Sequence, residues 1–349
     1  MAALLIRAAA LICVTTMADA HAWLRPRPLR AVGTVVGAAA GWRDELAREA
    51  RAALGAAGAA AESDGARCVG FLAARMPDAD RGVVSAEFLA RNCALALGAR
   101  ARSAWAVSVP FDLFLEYVAP YACFDEPRDE WRPLLSELLA PLVAGAASSR
   151  EAAERINSLL WRQWDPPIRF MPNQTRAGHP GQLSPLSVIR ARNASCTGLS
   201  IMLVDALRAV GVPARVVGTP CWARAGCSHD PLAHDACGNH NWVEVWLPEG
   251  ASAGAPRCAG WHFMGAAEEG GLDSAWFFPM PAQLQRPGAL NVSIFAARFG
   301  PPLAPSAEAR ASGSAWPPAA LHFPMVWAWG DRSVGADDVS MRYLEGGSA

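Results

Sequence analysis

Apolar residues in the first half of the chain recur at helical spacing. Phe88, Leu89, Ala96 and Leu97 fall on one helical stripe. Positions three or four apart share a face of a helix, so this stripe predicts a helix that buries one side. Prolines interleaved with aromatic residues over 109–133 indicate a rigid connector. The helical spacing also predicts helices over residues 42–61, 131–139 and 151–164.

The middle third changes from helix to strand. An amphipathic helix is predicted from Leu199 to Val210, and Gly211 with the proline two positions later supplies the expected stop. Two β-rich runs follow, over residues 214–219 and 241–247, and a third starts at Trp261. The order helix, strand, strand, strand predicts a helix packed on an antiparallel sheet.

Composition and pattern together divide the chain into segments. They are a leader over residues 1–20, a loosely packed lead-in over 21–65, an α-helical N-terminal region over 66–165, a helix-and-strand core over 166–299, a Pro/Ala linker over 300–320 and a short β-rich tail over 321–349.

The overall composition excludes several classes of protein. Hydrophobic residues make up 52% and charged residues 18%, which excludes wholesale disorder. The 31 basic and 32 acidic residues give a net charge of -1, so we expect no nucleic-acid partner. No segment has the roughly 18 apolar residues that a membrane span needs, and no cofactor-binding motif is present. Every basic residue is arginine, so the chain has no lysine ε-amine with which to cross-link itself.

The first twenty residues resemble a signal peptide. Arg7 precedes a short apolar stretch, and Ala18-Asp19-Ala20 forms an A-x-A cleavage signal. We therefore expect a secreted protein, with organelle targeting as the alternative. Removal of the leader takes Cys13 from the nine cysteines and leaves eight, most of which should pair in an oxidising compartment. If one cysteine is kept for chemistry, a second must also stay free.

The candidate nucleophile lies at the start of the predicted helix. Cys196 stands in the segment Asn-Ala-Ser-Cys-Thr-Gly-Leu, where unpaired amides and the helix dipole favour a thiolate. Such a position can lower a cysteine pKa from about 8.5 to about 3.5–7.5. The same amides can stabilise an oxyanion. A buried structural or disulfide-bonded cysteine is the alternative.

A histidine at the start of a strand supplies the partner. His240 lies 44 residues after the cysteine and immediately precedes the run 241–247. A hairpin can bring this imidazole to the end of the helix that carries Cys196. A cysteine and a histidine within hydrogen-bonding reach are the working unit of thiol acyl transfer.

These elements, in this order, resemble a known family. Cys196 at a helix start is followed by Leu207-Arg-Ala-Val-Gly-Val-Pro-Ala-Arg-Val-Val, then by His240-Asn-Trp-Val-Glu-Val-Trp and a strand that opens with Trp261. Together they resemble the core of the transglutaminase-like superfamily over about residues 185–280, and the flanks are similar to poorly characterised bacterial extracellular members. The resemblance implies a papain-like Cys-His-Asp triad. It also implies an α+β fold, in which a cysteine helix packs on a small antiparallel sheet after an α-helical region.

The third triad residue departs from the family pattern. The family's aspartate normally follows the strand's tryptophan by four residues, where this chain has Gly265. Glu268 could reach back if the strand end loops, and Asp273 is the next candidate. A Cys-His dyad or an inactive remnant is the alternative. Loss of the orienting carboxylate in a serine triad costs about 10⁴ in turnover, so this position decides whether the site is competent.

The same region also permits a zinc site. Its possible ligands are Cys221, Cys227, His229, His234, Cys237 and His240. Their spacing is compatible with a structural zinc knuckle. A Cys221–Cys237 or Cys227–Cys237 disulfide explains the same cysteines more simply.

The sequence therefore predicts a secreted thiol acyl-transfer enzyme, of transglutaminase, deamidase or cysteine-protease type. Its expected catalytic residues are Cys196, His240 and Glu268, its substrate is a protein or peptide amide, and no metal or cofactor is expected. The alternatives are a catalytically inactive binding or scaffold protein with the same fold, and a zinc-stabilised module.

Overall fold

The computed structural model describes residues 41–55, 63–172, 184–233, 237–248, 260–303 and 321–344. The predicted leader, most of the Pro/Ala linker, His234 and Cys258 lie outside the described residues. Among the helices of the described part, none is both long and apolar enough to cross a membrane.

The helices occupy mainly the first two thirds of the chain. They are α1 Trp42–Gly55, α2 Asp64–Arg75, α3 Ala86–Arg102, α4 Ala104–Val107, α5 Phe111–Tyr117, α6 Trp131–Val143, α7 Ser149–Leu159, α8 Pro185–Ala191, α9 Cys196–Ala209 and α10 Ser340–Leu344. Serine side chains cap α2, α3, α7 and α9, each accepting a hydrogen bond from an amide in the first turn. Ser63, Ser85, Ser148 and Ser195 therefore fix where these helices begin.

The lead-in is packed where the structure describes it. Helix α1 buries Ala47, Ala50 and Leu54 in the same core cluster as α2 and α3, and a Cys68–Cys93 disulfide joins those two helices. The expectation of a loosely packed segment is wrong for α1, because alanines at helical spacing let helices approach closely. The predicted continuation of this helix to residue 61 lies outside the described residues.

Five antiparallel strands form the main sheet. They are β3 Ala214–Thr219, β4 His240–Trp246, β5 Trp261–Met264, β6 Phe295–Arg298 and β7 Gly335–Asp338, in the order β5-β4-β3-β6-β7. A separate parallel pair consists of β1 Arg169–Phe170 and β2 Asn193–Ala194. The fold is therefore α+β, with an antiparallel sheet after a helical region.

The sheet is covered on both faces. Every residue of β3 and β4 is buried, although the sequence of β4 alternates polar and apolar side chains. Helix α9 packs on β3 and β4. A second cluster of buried side chains includes Trp222, Trp242, Phe263, Phe277 and Tyr343.

Helix α9 lies at the centre of the molecule. It contacts β3 and β4 as well as α6, α7 and α8, so every residue from Thr197 to Ala209 is buried. The sequence predicts an amphipathic helix, whereas this helix, which begins at Cys196, is enclosed on all sides. Of its polar side chains, Thr197 and Arg208 bond to buried partners, whereas Ser200 Oγ has no hydrogen-bond partner within the described residues.

The segment predicted as a β-rich tail completes the sheet. Strand β7 pairs with β6 at the sheet edge, and the short helix α10 follows it. Tyr343 of α10 donates a hydrogen bond to Glu244 on β4, so the end of the described chain is part of the core architecture.

Candidate active site

The cysteine lies where the sequence places it, at the first residue of a helix. Ser195 caps α9 by accepting a hydrogen bond from the amide of Gly198 at 3.4 Å, and Cys196 is the first helical residue. Cys196 is a free thiol with partial exposure. The first-turn amides of α9 therefore lie beside a thiol at the helix N-terminus, which is the arrangement that can stabilise an oxyanion.

The histidine is the first residue of strand β4. His240 pairs in register with Thr219 on β3, which fixes its backbone in the sheet. Its ring lies against Trp276, with centroids 5.0 Å apart, and against Trp242, with centroids 5.8 Å apart. Packing on these rings limits the orientations available to the imidazole.

A direct hydrogen bond connects the helix start to the strand start. Asn241 Nδ2 donates to Thr197 Oγ1 at 2.6 Å, and both groups are buried. Each of these residues follows a candidate catalytic residue, so the bond fixes Cys196 and His240 relative to one another. The backbone of Asn241 also forms a hydrogen bond with the Cys196 thiol.

The neighbouring strand leaves room for this bond. Gly218 pairs with Asn241 across β3 and β4, and a Cβ at Gly218 would overlap the side-chain oxygen of Asn241. Glycine is therefore required at this position by the close approach of the asparagine side chain. This requirement was missed in the sequence, where Gly218 reads as an ordinary strand residue.

Cys196, His240 and Glu268 all line one open cleft. The cleft has a volume of about 1600 Å³ and lies between α7, the start of α9, the start of β4 and the turn after β5. Arg162 and Arg169 line it as well as Glu154 and Glu269, so charges of both signs border the cleft. The structure thus brings the three predicted residues to the wall of a single cavity.

Burial opposes the charged forms of both candidate catalytic groups. Burial raises the pKa of the Cys196 thiol, while hydrogen bonds from Asn241 and Thr197 act in the opposite direction. Burial lowers the pKa of His240 to about 4. The expected lowering of the Cys196 pKa by the helix start is therefore overturned by desolvation, and the thiol and the imidazole are both neutral at pH 7.

Glu268 reaches the histidine from the turn that follows β5. Its Oε1 lies 3.8 Å from His240 Nε2, and burial raises its pKa while hydrogen bonds from Trp276 lower it. A Cβ at Gly265 would overlap the Glu268 carboxylate. The glutamate carboxylate therefore occupies the space into which a side chain at position 265 would project.

Asp273, the second candidate acid, serves a different histidine. Its Oδ2 lies 2.6 Å from His262 Nδ1, and its Oδ1 accepts the amide of Phe263 at 3.2 Å. Neither His262 nor Asp273 lines the cleft. Asp273 is therefore engaged at β5 and is not the residue beside His240.

Tryptophan side chains lie both at the cleft near His240 and in the interior. Trp222 and Trp242 stack near His240, but Trp261 packs against Tyr117 and Arg215 in the interior. Trp161 and Trp276 line the cleft, and 55% of Trp276 is exposed. The sequence gives no periodic signal around it.

A second group of possible catalytic or metal-binding side chains lies in the interior. Cys123, Glu126 and Asp205 have ligand atoms within 4.8 Å of one another, and burial raises the pKa of Cys123 well above its usual value. Glu126 accepts the amides of Cys123 and Phe124, and Arg208 lies 3.5 Å from Asp205. These contacts tie the middle of α9 to the helical region, and none of the three residues lines the cleft.

The region proposed as a zinc knuckle contains a disulfide. Cys227 and Cys237 are bonded to each other, which removes both as thiolate ligands and matches one of the two pairings expected from the sequence. Cys221 is a buried free thiol. His240 is therefore not held together with these cysteines around a metal within the described residues.

The middle of the chain is similar to a known protein family. Residues 136–261 match the family model of the transglutaminase-like superfamily. This part of the chain is therefore similar to the transglutaminase-like superfamily. The match runs from α6 to the first residue of β5, and it includes both Cys196 and His240 but not Glu268. No curated protein matches the chain.

Proposed function

We propose that this protein is a thiol acyl-transfer enzyme with a papain-like site, in which Cys196 is the nucleophile, His240 the general base and acid, and Glu268 the orienting carboxylate. The observation that carries the proposal is their position on one cleft, at a helix N-terminus facing the start of a strand. We further propose that the protein is secreted, which the Cys68–Cys93 and Cys227–Cys237 disulfides support.

The reaction begins with a neutral pair. Neutral His240 accepts the thiol proton as Cys196 Sγ attacks the carbonyl carbon of a carboxamide, so no buried thiolate has to exist beforehand. The C=O π electrons move to oxygen, and the first-turn amides of α9 stabilise the oxyanion. Collapse of this intermediate breaks the C–N bond, His240 protonates the departing nitrogen, and a thioester remains on Cys196.

The second half of the reaction releases the enzyme. Water or an amine attacks the thioester carbon, His240 takes the proton from the attacking group, and Cys196 leaves as a thiol once that proton is returned to sulfur. Water gives deamidation or proteolysis, and an amine gives a new amide. Since the chain has no lysine, a lysine acceptor would come from another molecule.

Glu268 stabilises the imidazolium that forms during attack. A carboxylate 3.8 Å from Nε2 favours the protonated ring electrostatically, and a small shift on substrate binding would convert this approach into a hydrogen bond. The glutamate thus takes the role that the family resemblance assigns to the aspartate, but from a position three residues later in the chain.

A protein or peptide is the substrate that fits the cleft best. The cleft is about 1600 Å³, which exceeds the usual volume of a pocket for a small molecule. It carries an exposed tryptophan, Trp276, and charges of both signs, which suits an extended polypeptide.

The proposal is tested with casein as a probe protein. Ammonia release reports hydrolysis of side-chain carboxamides, new amino termini report proteolysis, and incorporation of a fluorescent primary amine reports transamidation. We expect at least one of these activities, and at least about a 10³-fold loss in Cys196→Ala. Cys221→Ala, which removes a buried thiol away from the cleft, is the matched control. Equal activity in wild type and Cys196→Ala would overturn the proposal, and absence of all three activities would favour a binding or scaffold protein.

The role of Glu268 has a separate test that uses Gly265. Glu268→Ala should lose activity on any substrate that wild type processes. In that background Gly265→Asp should restore activity, because removing the glutamate clears the space and the new side chain projects into it. If Glu268→Ala keeps the activity of wild type, so that Gly265→Asp has no loss to restore, the site is a Cys-His dyad.

A further inference from the structure

One buried side chain of the helical region contacts both ends of the turn that carries Glu268. Asn157 lies on α7, and its Nδ2 donates to the carbonyl oxygen of Gly265 at 2.9 Å. Its Oδ1 accepts the amide of Ala267 at 3.1 Å. Asn157 is 6% exposed and lines the cleft. One asparagine thus satisfies two backbone groups of a turn that is 108 residues away in the chain.

The turn is held in a conformation that it would not prefer alone. Ala267 has a φ of 62°, in the left-handed region that costs a non-glycine residue about 1 kcal/mol or more. Such a conformation persists where surrounding contacts determine it. The hydrogen bond from the Ala267 amide to Asn157 is such a contact. Ala267 immediately precedes Glu268, so this contact acts directly beside the glutamate.

The conformation of this turn decides where the carboxylate lies. The Glu268 amide bonds back to the Gly265 carbonyl at 3.4 Å, and the same carbonyl accepts the bond from Asn157. The folded-back turn puts the Glu268 carboxylate beside Gly265 and 3.8 Å from His240 Nε2. An open turn would carry the carboxylate away from the imidazole.

We infer that Asn157 is a positioning residue of this site, which acts through Glu268 by closing the Gly265–Glu268 turn. The inference rests on the proposed function, since it assigns a role in the same reaction. It also explains how an acid displaced by three residues serves the histidine: the helical region supplies the bond that folds the turn back.

The test follows the reactivity of Cys196 toward iodoacetamide between pH 5 and 8, read by mass spectrometry. A thiol paired with a base reacts at a nearly constant rate between the pKa values of the two groups. We call this pH-independent rate the plateau. An unassisted thiol below its pKa reacts about tenfold more slowly for each unit of pH. His240→Gln, which should abolish the plateau, tests the proposed function separately from the inference.

Four variants test the link from Asn157 to Glu268. Asn157→Ala and Glu268→Ala should each lower the plateau by about tenfold or more, and the double variant should be no lower than either single variant. Adding Gly265→Asp to the double variant should restore the plateau, since an acid on the strand end no longer needs the turn.

A matched control separates positioning from stability. Asn92 is also a buried asparagine, which donates to the Ala119 carbonyl and accepts from Arg132, and it does not line the cleft. Asn92→Ala should destabilise the fold to a similar extent and leave the plateau unchanged. If Asn157→Ala does not fold, Asn157→Asp keeps the acceptor for the Ala267 amide but turns an acceptor oxygen toward the Gly265 carbonyl in place of the donor, and it should lower the plateau.

Three results would overturn the inference. The first is a wild-type plateau in folded Asn157→Ala, or in Asn157→Asp if the alanine variant does not fold. The second is a further loss when Asn157→Ala is added to Glu268→Ala. The third is that Gly265→Asp rescues Glu268→Ala alone but does not rescue the double variant. If His240→Gln loses the plateau beside any of these results, the Cys-His chemistry stands and only the role of Asn157 is removed.

Discussion

His240 and Glu244 lie on the same face of strand β4, four residues apart, in opposite electrostatic surroundings. Glu244 is fully buried and accepts hydrogen bonds from Arg215 at 2.8 Å, from Arg342 at 3.0 Å and from Tyr343 at 2.8 Å. Burial raises the pKa of the Glu244 carboxyl, but the two arginines lower it by more, so this pKa lies below its usual value. Glu244 is therefore a compensated buried charge.

His240 has no such compensation. Its Nε2 is buried and forms no hydrogen bond within the described residues, and Glu268 approaches it only to 3.8 Å. Burial lowers its pKa to about 4. An open cleft lies in front of His240 but not in front of Glu244. The contrast teaches that the satisfied polar group holds the sheet together, while the unsatisfied one beside a cavity is available for chemistry.

The largest expected effect comes from removing the compensated buried charge of Glu244. Glu244→Gln leaves the buried Arg215 and the half-buried Arg342 without their carboxylate partner, so we expect the free energy of unfolding to fall by about 3–5 kcal/mol. Urea denaturation measures it. Glu130→Gln is the control, since its ion pair with Arg91 is exposed and should change stability by less than about 1 kcal/mol. A similar small loss in Glu244→Gln would refute the contrast.

The pH dependence of the unfolding free energy tests whether His240 is buried without compensation. Because the pKa of His240 falls from 6.5 to about 4 on folding, the unfolded state binds the proton more readily. The stability that depends on neutral His240 is fully present above pH 6.5, and roughly 3 kcal/mol of it is lost as the pH falls toward 4. The measurement is the difference in unfolding free energy between wild type and His240→Gln from pH 7 to 4. A difference that does not change with pH would show that His240 is solvated.

The smallest expected effect concerns the bond that joins helix and strand. Thr197→Val leaves the Asn241 amide without its acceptor, and should cost about 1–2 kcal/mol and reduce the alkylation rate of Cys196 several-fold. Ser136→Ala removes a buried hydroxyl that donates to Ala209 at the other end of α9, and should cost similar stability with no change in that rate. Equal alkylation rates in the two variants would mean that the Thr197–Asn241 bond does not align the site.

The elements of the core could be predicted from the sequence because their signals are local. The apolar spacing predicts helix α9, and strand β3 matches its predicted bounds. Strand β6 was missed and β7 was predicted only as part of a β-rich tail, since each is four residues long and fully buried, without alternation. The glycine and aspartates of β7 also have low strand propensity.

The geometry around the candidate acid depends on distant contacts and could not be predicted. Glu268 was named from its distance along the chain, but its carboxylate position depends on Asn157, which no sequence pattern links to it. The direction of the Cys196 pKa shift was predicted wrongly, because the helix start is a local feature whereas burial by the cleft walls is a property of the whole fold.

The most direct test of the central claim is the rate of Cys196 alkylation by iodoacetamide from pH 5 to 8 in wild type and in His240→Gln. The account predicts a nearly flat profile in wild type and a rate that rises about tenfold for each unit of pH in the variant. Two parallel, rising profiles would contradict it, since they would show that the thiol at the start of α9 has no base beside it.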